Sequence, residues 1–282
     1  MNILTFDIEE WFHILDNDST RLESNWAKYE SRIHKNMNRI FDILETTNTR
    51  ASFFILGWIA EQYPNIVREI SDKGFDIGSH SAMHQLVYNQ DKIKFKKDVE
   101  RSIKSLEDIL GKKVKMFRAP GFSIKESNKW AFEVLHELGI EIDSSVFPAR
   151  RAHGGFPNYG TSQPSILEYN GVKLKEFPIN TRSFFGKPFV YSGGGYFRVS
   201  PYYLINKWTV KDDYVMSYFH PRDFDPNQPM INSLSLLRKF KSYVGLKNTK
   251  KKLNKWLVDF DFVDIKSADK IIDWNTSKNI QL

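Results

Sequence analysis

Arg50-Ala-Ser-Phe-Phe-Ile-Leu56 is followed by a helical-period run from Ile59 to Lys73, then Gly74, then Phe75-Asp-Ile-Gly78 running into His80. The first segment, rich in Phe and Ile, reads as a strand, and the second as a helix with Gly74 where a C-terminal cap belongs. The third is a short strand. Strand, helix, strand in that order is the unit of a parallel sheet with helical crossovers. The unit recurs on both sides. Upstream, Asn2 to Phe6 is a buried strand ending at Asp7, and Ile33, Met37, Ile40, Phe41 and Leu44 fall at helical spacing. Downstream, Val99, Ile103, Leu106 and Leu110 mark a helix stopped by Gly111, and Lys115 to Arg118 a strand ending at Pro120. Asn128 to Leu138 is again helical, and Ile140 to Ile142 leads to Asp143.

From Pro148 to Pro201 the pattern breaks into Gly, Pro and aromatic residues, which predicts loops over a functional face. Tyr214 to Phe219 resumes as a strand ending at His220-Pro221. A basic helical segment and a strand from Phe260 to Ile265 close the sequence.

There is no cysteine, so no disulfide or thiolate metal site, and any metal must be held by His and carboxylate. The aromatic share of 15% suits stacking on sugar rings, although an aromatic core is the plainer explanation. No run approaches the roughly 20 apolar residues of a membrane span, and no signal peptide is evident at Met1-Asn-Ile-Leu. The expected location is the cytoplasm. The net charge of +7 is concentrated: Arg238 to Lys255 holds eight cations and no acid, leaving the rest close to neutral. That stretch is either a solvated helix face or a patch docking on an anionic membrane surface or a lipid-linked diphosphate. Nucleic acid is not an expected partner, because an acid-lined site has the wrong sign for a phosphate track.

Asp7 and Glu9, His80, Arg118, Asp143 and His220 each lie at or just past the C-terminal end of a predicted strand, where parallel barrels place their sites. His80-Ser-Ala-Met-His84 sets two imidazoles on one side of a helical turn, as a shared cation requires. Alone, the pair could be two surface histidines. Asp7-Ile-Glu-Glu10 offers carboxylates for a ligand and a general base, or simply solvated acids. Arg118 is suited to holding a carboxylate, and His220 to donating a proton.

Together and in this order, these residues resemble the polysaccharide deacetylases of carbohydrate esterase family 4. Thr5-Phe-Asp7, His80-Ser-x-x-His84, Arg118-Ala-Pro-Gly121, Asp143-Ser-Ser145 and Tyr218-Phe-His220 look like its five motifs, across roughly residues 1 to 222. Thr5-Phe-Asp-Ile-Glu-Glu-Trp-Phe-His13, Gly193-Gly-Gly-Tyr-Phe-Arg-Val-Ser-Pro-Tyr202 and Tyr218-Phe-His-Pro-Arg-Asp-Phe-Asp-Pro-Asn-Gln-Pro229 resemble the branch found with bacterial exopolysaccharide assembly.

The resemblance implies a distorted parallel (β/α) barrel of seven strands over residues 1–222, with a C-terminal extension, 223–282, packed on the same domain. It implies Asp7 as base, His220 as acid, Arg118 orienting the base, and Asp143 tuning the acid side. Gly121, Phe122 and Tyr218 would meet an acetamido sugar that is polymeric, lipid-linked or nucleotide-linked. His80 and His84 would hold a divalent metal, Zn²⁺ or else Co²⁺ or Ni²⁺. The family's usual second aspartate is Ile8 here, so the third ligand is Glu9 or Glu10, and side-chain direction favours Glu9. The implied activity is N-deacetylation. The rivals are a metal-free cyclic amide or ureide hydrolase and a non-catalytic carbohydrate-binding relative.

Overall fold

Four strands carry the first half of the barrel, each a short apolar run that buries almost every side chain. β1 (Asn2–Ile3) and β2 (Thr5–Ile8) are one strand interrupted at Leu4, followed by β3 (Ser52–Ile55) and β4 (Asp76–Ser79). In the computed structural model, residues 1–282 are described except Asp16, Ala152 and Phe185 and the side chains of Asp18, Arg21, Phe184 and Lys187. β2, β3 and β4 pair in parallel with Phe6 opposite Phe53 and Phe53 opposite Ile77. β5 (Met116–Phe117) and β6 (Ile142–Asp143) extend the same parallel sheet.

The sheet continues through a hairpin, β7 (Ser165–Tyr169) and β8 (Val172–Glu176), whose second strand runs parallel to β6. A smaller hairpin joins β9 (Arg182–Phe184) to β10 (Lys187–Phe189). β11 (Val215–Met216) lies parallel to β1, and a bridge from Phe6 to Phe219 prolongs that pairing. Seven parallel positions thus run β2, β3, β4, β5, β6, β8, β11. The seam between the last two is closed by a side chain: Asn180 Oδ1 accepts from Met216 N at 3.0 Å and from Ser192 Oγ at 3.2 Å. β12 (Phe262–Val263) flanks the other side of β1, and β13 (Lys278–Gln281) adds to β7.

Helices cover the sheet. The Lys92–Leu110 helix starts where the Asp91 side chain accepts from Lys94 N and stops at Gly111 in the left-handed region. It packs against the Gly57–Gln62 helix so closely that a Cβ on Gly57 would lie 2.8 Å from Ser102 Cα. Trp256, on the Leu246–Asp259 helix, is fully buried, packs at a tilt on Phe197 and edge to face on Phe262, and donates Nε1–H to Thr209 Oγ1 at 2.9 Å.

Two local expectations are corrected. The run from Ile59 to Lys73 is two helices, Gly57–Gln62 and Pro64–Asp72, because Pro64 lacks the N–H to continue the first and suits the first turn of the second. The region from Pro148 to Pro201 is not all loop. Asn170 and Gly171, at φ 48° and 80°, form the left-handed pair that a tight hairpin needs.

Candidate active site

Asp7, Glu9, His80, His84, Gly121, Phe122, Tyr218 and His220 line one cleft at the C-terminal ends of the barrel strands. Arg118 lies directly beneath it. Its guanidinium is fully buried, donates Nη1–H to Asp7 Oδ1 at 2.8 Å and to Thr5 Oγ1 at 2.6 Å, and donates Nη2–H to Ser144 Oγ at 2.9 Å. Phe54 backs it, with the ring centroid 4.2 Å away. Asp7 is therefore held in one orientation, its second oxygen 4.0 Å from His220 Nε2.

Glu9, His80 and His84 offer ligand atoms that all lie within 4.8 Å of one another. The two histidines are not on a helical turn, as their spacing predicts. They sit in an irregular loop with Ser81 and His84 at φ 68° and 52°. Gly57 N and Trp58 N donate to the Ser81 and Ala82 carbonyls, while the Asp98 carboxylate accepts from Ala82 N and Met83 N at 3.1 Å each. These bonds supply what a helical ladder would have supplied.

His80 donates Nδ1–H to the Arg118 carbonyl at 2.7 Å, which leaves the Nε2 lone pair for a cation. His84 Nε2 approaches the buried Glu9 Oε2 to 2.7 Å, close enough for the two side chains to share one cation. Burial would raise the Glu9 pKa, but the facing His84, His220 and His13 bring it down to about 2. Burial lowers His80 to about 4. At neutral pH the carboxylate is ionised and His80 neutral, the states metal ligation needs. The residues fit a divalent ion.

Glu10 is placed differently. Its Oε1 accepts from Ser31 Oγ, Arg32 N and Ile33 N at 2.5, 2.9 and 3.1 Å, capping the Ile33–Thr47 helix.

Asp143 corrects an expectation. It does not line the cleft or touch His220. It accepts from Ser145 Oγ at 2.6 Å, and Ser145 Oγ in turn accepts from Ala119 N at 2.8 Å, so Asp143 supports the Arg118–Gly121 turn. Burial raises its pKa and that of its partner Glu176; the Asp143 charge raises Glu176 further, while the hydrogen bond from Glu176 acts to lower Asp143.

The residue beside His220 is Asp223, which the motif spacing did not single out. Asp223 Oδ2 lies 3.0 Å from His220 Nδ1 and accepts from His220 N at 2.9 Å, and Arg198 Nε is 3.3 Å from its other oxygen. Burial alone would lower the His220 pKa. The Asp223 hydrogen bond and the charges of Glu9, Asp223 and Asp7 outweigh it and raise the pKa to about 9. Only the acidic residue in the Pro-Arg-Asp turn after His220 could have signalled this. His13 is a second residue the spacing did not single out: it is buried beside His84, accepts from Glu10 N at Nδ1, and has no partner at Nε2.

Phe122 and Tyr218 meet edge to face, ring centroids 5.0 Å apart. The glycine at 193 is a steric requirement, since a Cβ there would lie 2.4 Å from the Tyr218 carbonyl oxygen.

A parallel α/β barrel with a two-histidine, one-carboxylate cation site at its strand ends is the class that fold and cleft define. Residues 4–142 match the polysaccharide deacetylase family model, and residues 144–270 match a domain of unknown function, DUF3473. The first half of the chain is thus similar to the polysaccharide deacetylase family. A peptidoglycan-N-acetylglucosamine deacetylase of Bacillus cereus is 33% identical over 96 residues, 34% of this chain and 35% of that protein. The chain therefore spans about a third of the length of that relative. Among solved structures, a Mycobacterium smegmatis protein assigned to the polysaccharide deacetylases matches with a TM-score of 0.68 at 16% identity, covering 100% of this chain and 92% of the other. A family 4 pseudoenzyme from Bacillus anthracis matches at 0.50 and 11%, covering 100% and 69%. At such identities these two similarities concern the fold.

Proposed function

We propose that the protein hydrolyses the acetamide of an N-acetylated amino sugar, in a bacterial surface polysaccharide or its precursor, releasing acetate and a free amine. The observation that carries this reading is the convergence of Glu9, His80 and His84 with an arginine-held Asp7 and His220 in one cleft. A divalent ion held by Glu9, His80 and His84, with zinc first and cobalt or nickel as alternatives, would supply Lewis acidity toward the acetamide oxygen. Asp7, fixed by Arg118, takes the proton of the attacking water. A backbone N–H near Gly121 is the candidate donor to the developing oxyanion. His220, charged up to about pH 9, protonates the departing nitrogen. Phe122 and Tyr218 wall the sugar.

The metal-free rival gains no support from two imidazoles and a buried carboxylate whose ligand atoms converge. The non-catalytic rival is separated by experiment. Zinc should co-purify with the untagged wild type and be lost in His80→Ala, and the loaded wild type should release acetate from chitooligosaccharides. Asp7→Asn and His220→Ala should retain zinc while turnover falls about 10²–10⁴-fold. Metal without acetate release from any acetamido sugar would sink the deacetylase reading. No metal at all would move the ureide hydrolase or binding protein to first place.

A second reading concerns location: the protein works in the cytoplasm, peripheral to the inner membrane. The Leu236–Tyr243 helix supports it, exposing Leu236 (85%), Leu237 and Phe240 beside Arg238, Lys239 and Lys241, with no acid among them. Among the described residues no helix is long and apolar enough to cross a membrane. Flotation with anionic vesicles, lost in Leu236→Glu/Phe240→Glu, is expected; no flotation of the wild type would end this reading.

A further inference from the structure

The cleft carries more positive charge than the proposed deacetylation uses. Besides Arg198, which is committed to Asp223 and to the Lys241 and Ser242 carbonyls, its walls include Arg151, Arg222 and Lys241. None of these three forms an ion pair with a carboxylate among the described residues. Among the described residues, the acids lining the cleft are already engaged: Asp7 with Arg118, Glu9 with the imidazoles, Asp223 with His220 and Arg198.

Both arginines are pre-positioned. The Arg151 guanidinium lies over Phe147 at 4.3 Å and near Phe122 at 5.3 Å, so its plane is fixed by the rings that wall the sugar site. Its Nη1 is buried with no hydrogen-bond partner. Arg222 donates Nε–H to Gln228 Oε1 at 3.1 Å and packs on Tyr243, while its Nη2 is likewise buried and unpartnered. Burial first, and the nearby Arg198, act to lower the Arg222 pKa, against the opposing pull of Tyr243, Asp223 and Glu9. Buried N–H groups without acceptors are uncommon, and two of them on rigidly held guanidinium forks in one cleft call for a planar or tetrahedral oxyanion from outside the chain.

We propose that the cleft takes an acetamido sugar bearing an anionic group, a phosphate or a carboxylate, received by Arg151 and Arg222 with Lys241 beside them. The inference rests on the deacetylase reading and extends it. It also gives a role to residues 144–270, whose family model is a domain of unknown function, since they supply all three cations.

The test measures acetate release by the zinc-loaded full chain from three probes: N-acetylglucosamine 1-phosphate, a hyaluronan tetrasaccharide and neutral tri-N-acetylchitotriose. One anionic probe should exceed the neutral one by about tenfold or more in kcat/KM, identifying phosphate or carboxylate as the group read. That preference should collapse toward unity in Arg151→Gln and Arg222→Gln, shrink at high salt, and be partly restored by lysine at either position. Equal use of all three probes, or a loss that strikes them alike, would overturn the proposal while leaving the deacetylase reading intact. If no probe releases acetate, that reading fails. Titration calorimetry with N-acetylglucosamine 1-phosphate and with the tetrasaccharide then decides the anion site. Binding weakened about tenfold by either glutamine variant supports it, and absence of binding by both probes overturns it.

Discussion

Glu10 receives three donors at the start of a helix, whereas its neighbour Glu9 faces two imidazoles. Strand alternation separates them, since Asp7 and Glu9 face one way along the strand and its continuation. The sequence therefore already points to Glu9 over Glu10 as the ligand. Two metal-affinity predictions follow at this scale. Glu9→Gln should weaken zinc strongly, while Glu10→Gln should leave zinc binding near wild type and lower stability by about 1 kcal/mol, as loss of a helix cap does; titration against a zinc chelator and urea unfolding read the two effects. Asp223→Asn removes the hydrogen bond and one of the charges that raise His220. The acid form, full below about pH 9 in the metal-free chain, should then be lost at lower pH, so the basic limb of kcat/KM moves down. An unmoved limb would show that another group donates the proton. Asp223 was not legible from spacing because its role depends on a turn folding its carboxylate back onto His220. Asp143 was legible as a strand-end acid, but sequence order does not say on which side of Arg118 it acts.

The His80–His84 loop is shaped by its neighbours rather than by its own propensity. Asp98 reaches across from the Lys92–Leu110 helix to hold two loop N–H groups, and the first N–H groups of the Gly57–Gln62 helix hold two carbonyls. Removing such outer support costs ligands their orientation, so Asp98→Ala should weaken zinc affinity about 10–100-fold with all three ligands in place. Gly57→Ala should act on the same loop from the other side, because its Cβ would meet Ser102 Cα at 2.8 Å and Ala82 Cα at 3.1 Å. Wild-type affinity in both variants would sink this account. The strand-helix alternation was readable because buried parallel strands are plain apolar runs. The β7–β8 hairpin was obscured by the surrounding Gly and Pro, although Asn170-Gly171 is itself a strong hairpin signal.

Over the whole molecule, the C-terminal residues are woven into the barrel wall. β12 flanks β1, β13 extends the sheet through β7, and Trp256 fills the space between Phe197 and Phe262. Trp256→Ala should cost about 3–5 kcal/mol, and calorimetry should show one unfolding transition that moves up with added zinc. Two separate transitions would instead divide the chain into independent units. The position of β1 between β11 and β12 has a bearing on biogenesis. Asn2 donates to Asp261, 259 residues later, and Thr5 to Ser217, 212 residues later. At about 5–20 residues per second of synthesis, the opening strand waits on the order of tens of seconds for its neighbours. Throughout that interval an apolar edge is without its pairing partners, which makes the nascent chain a client for holding chaperones at the ribosome and favours low expression temperatures for soluble yield.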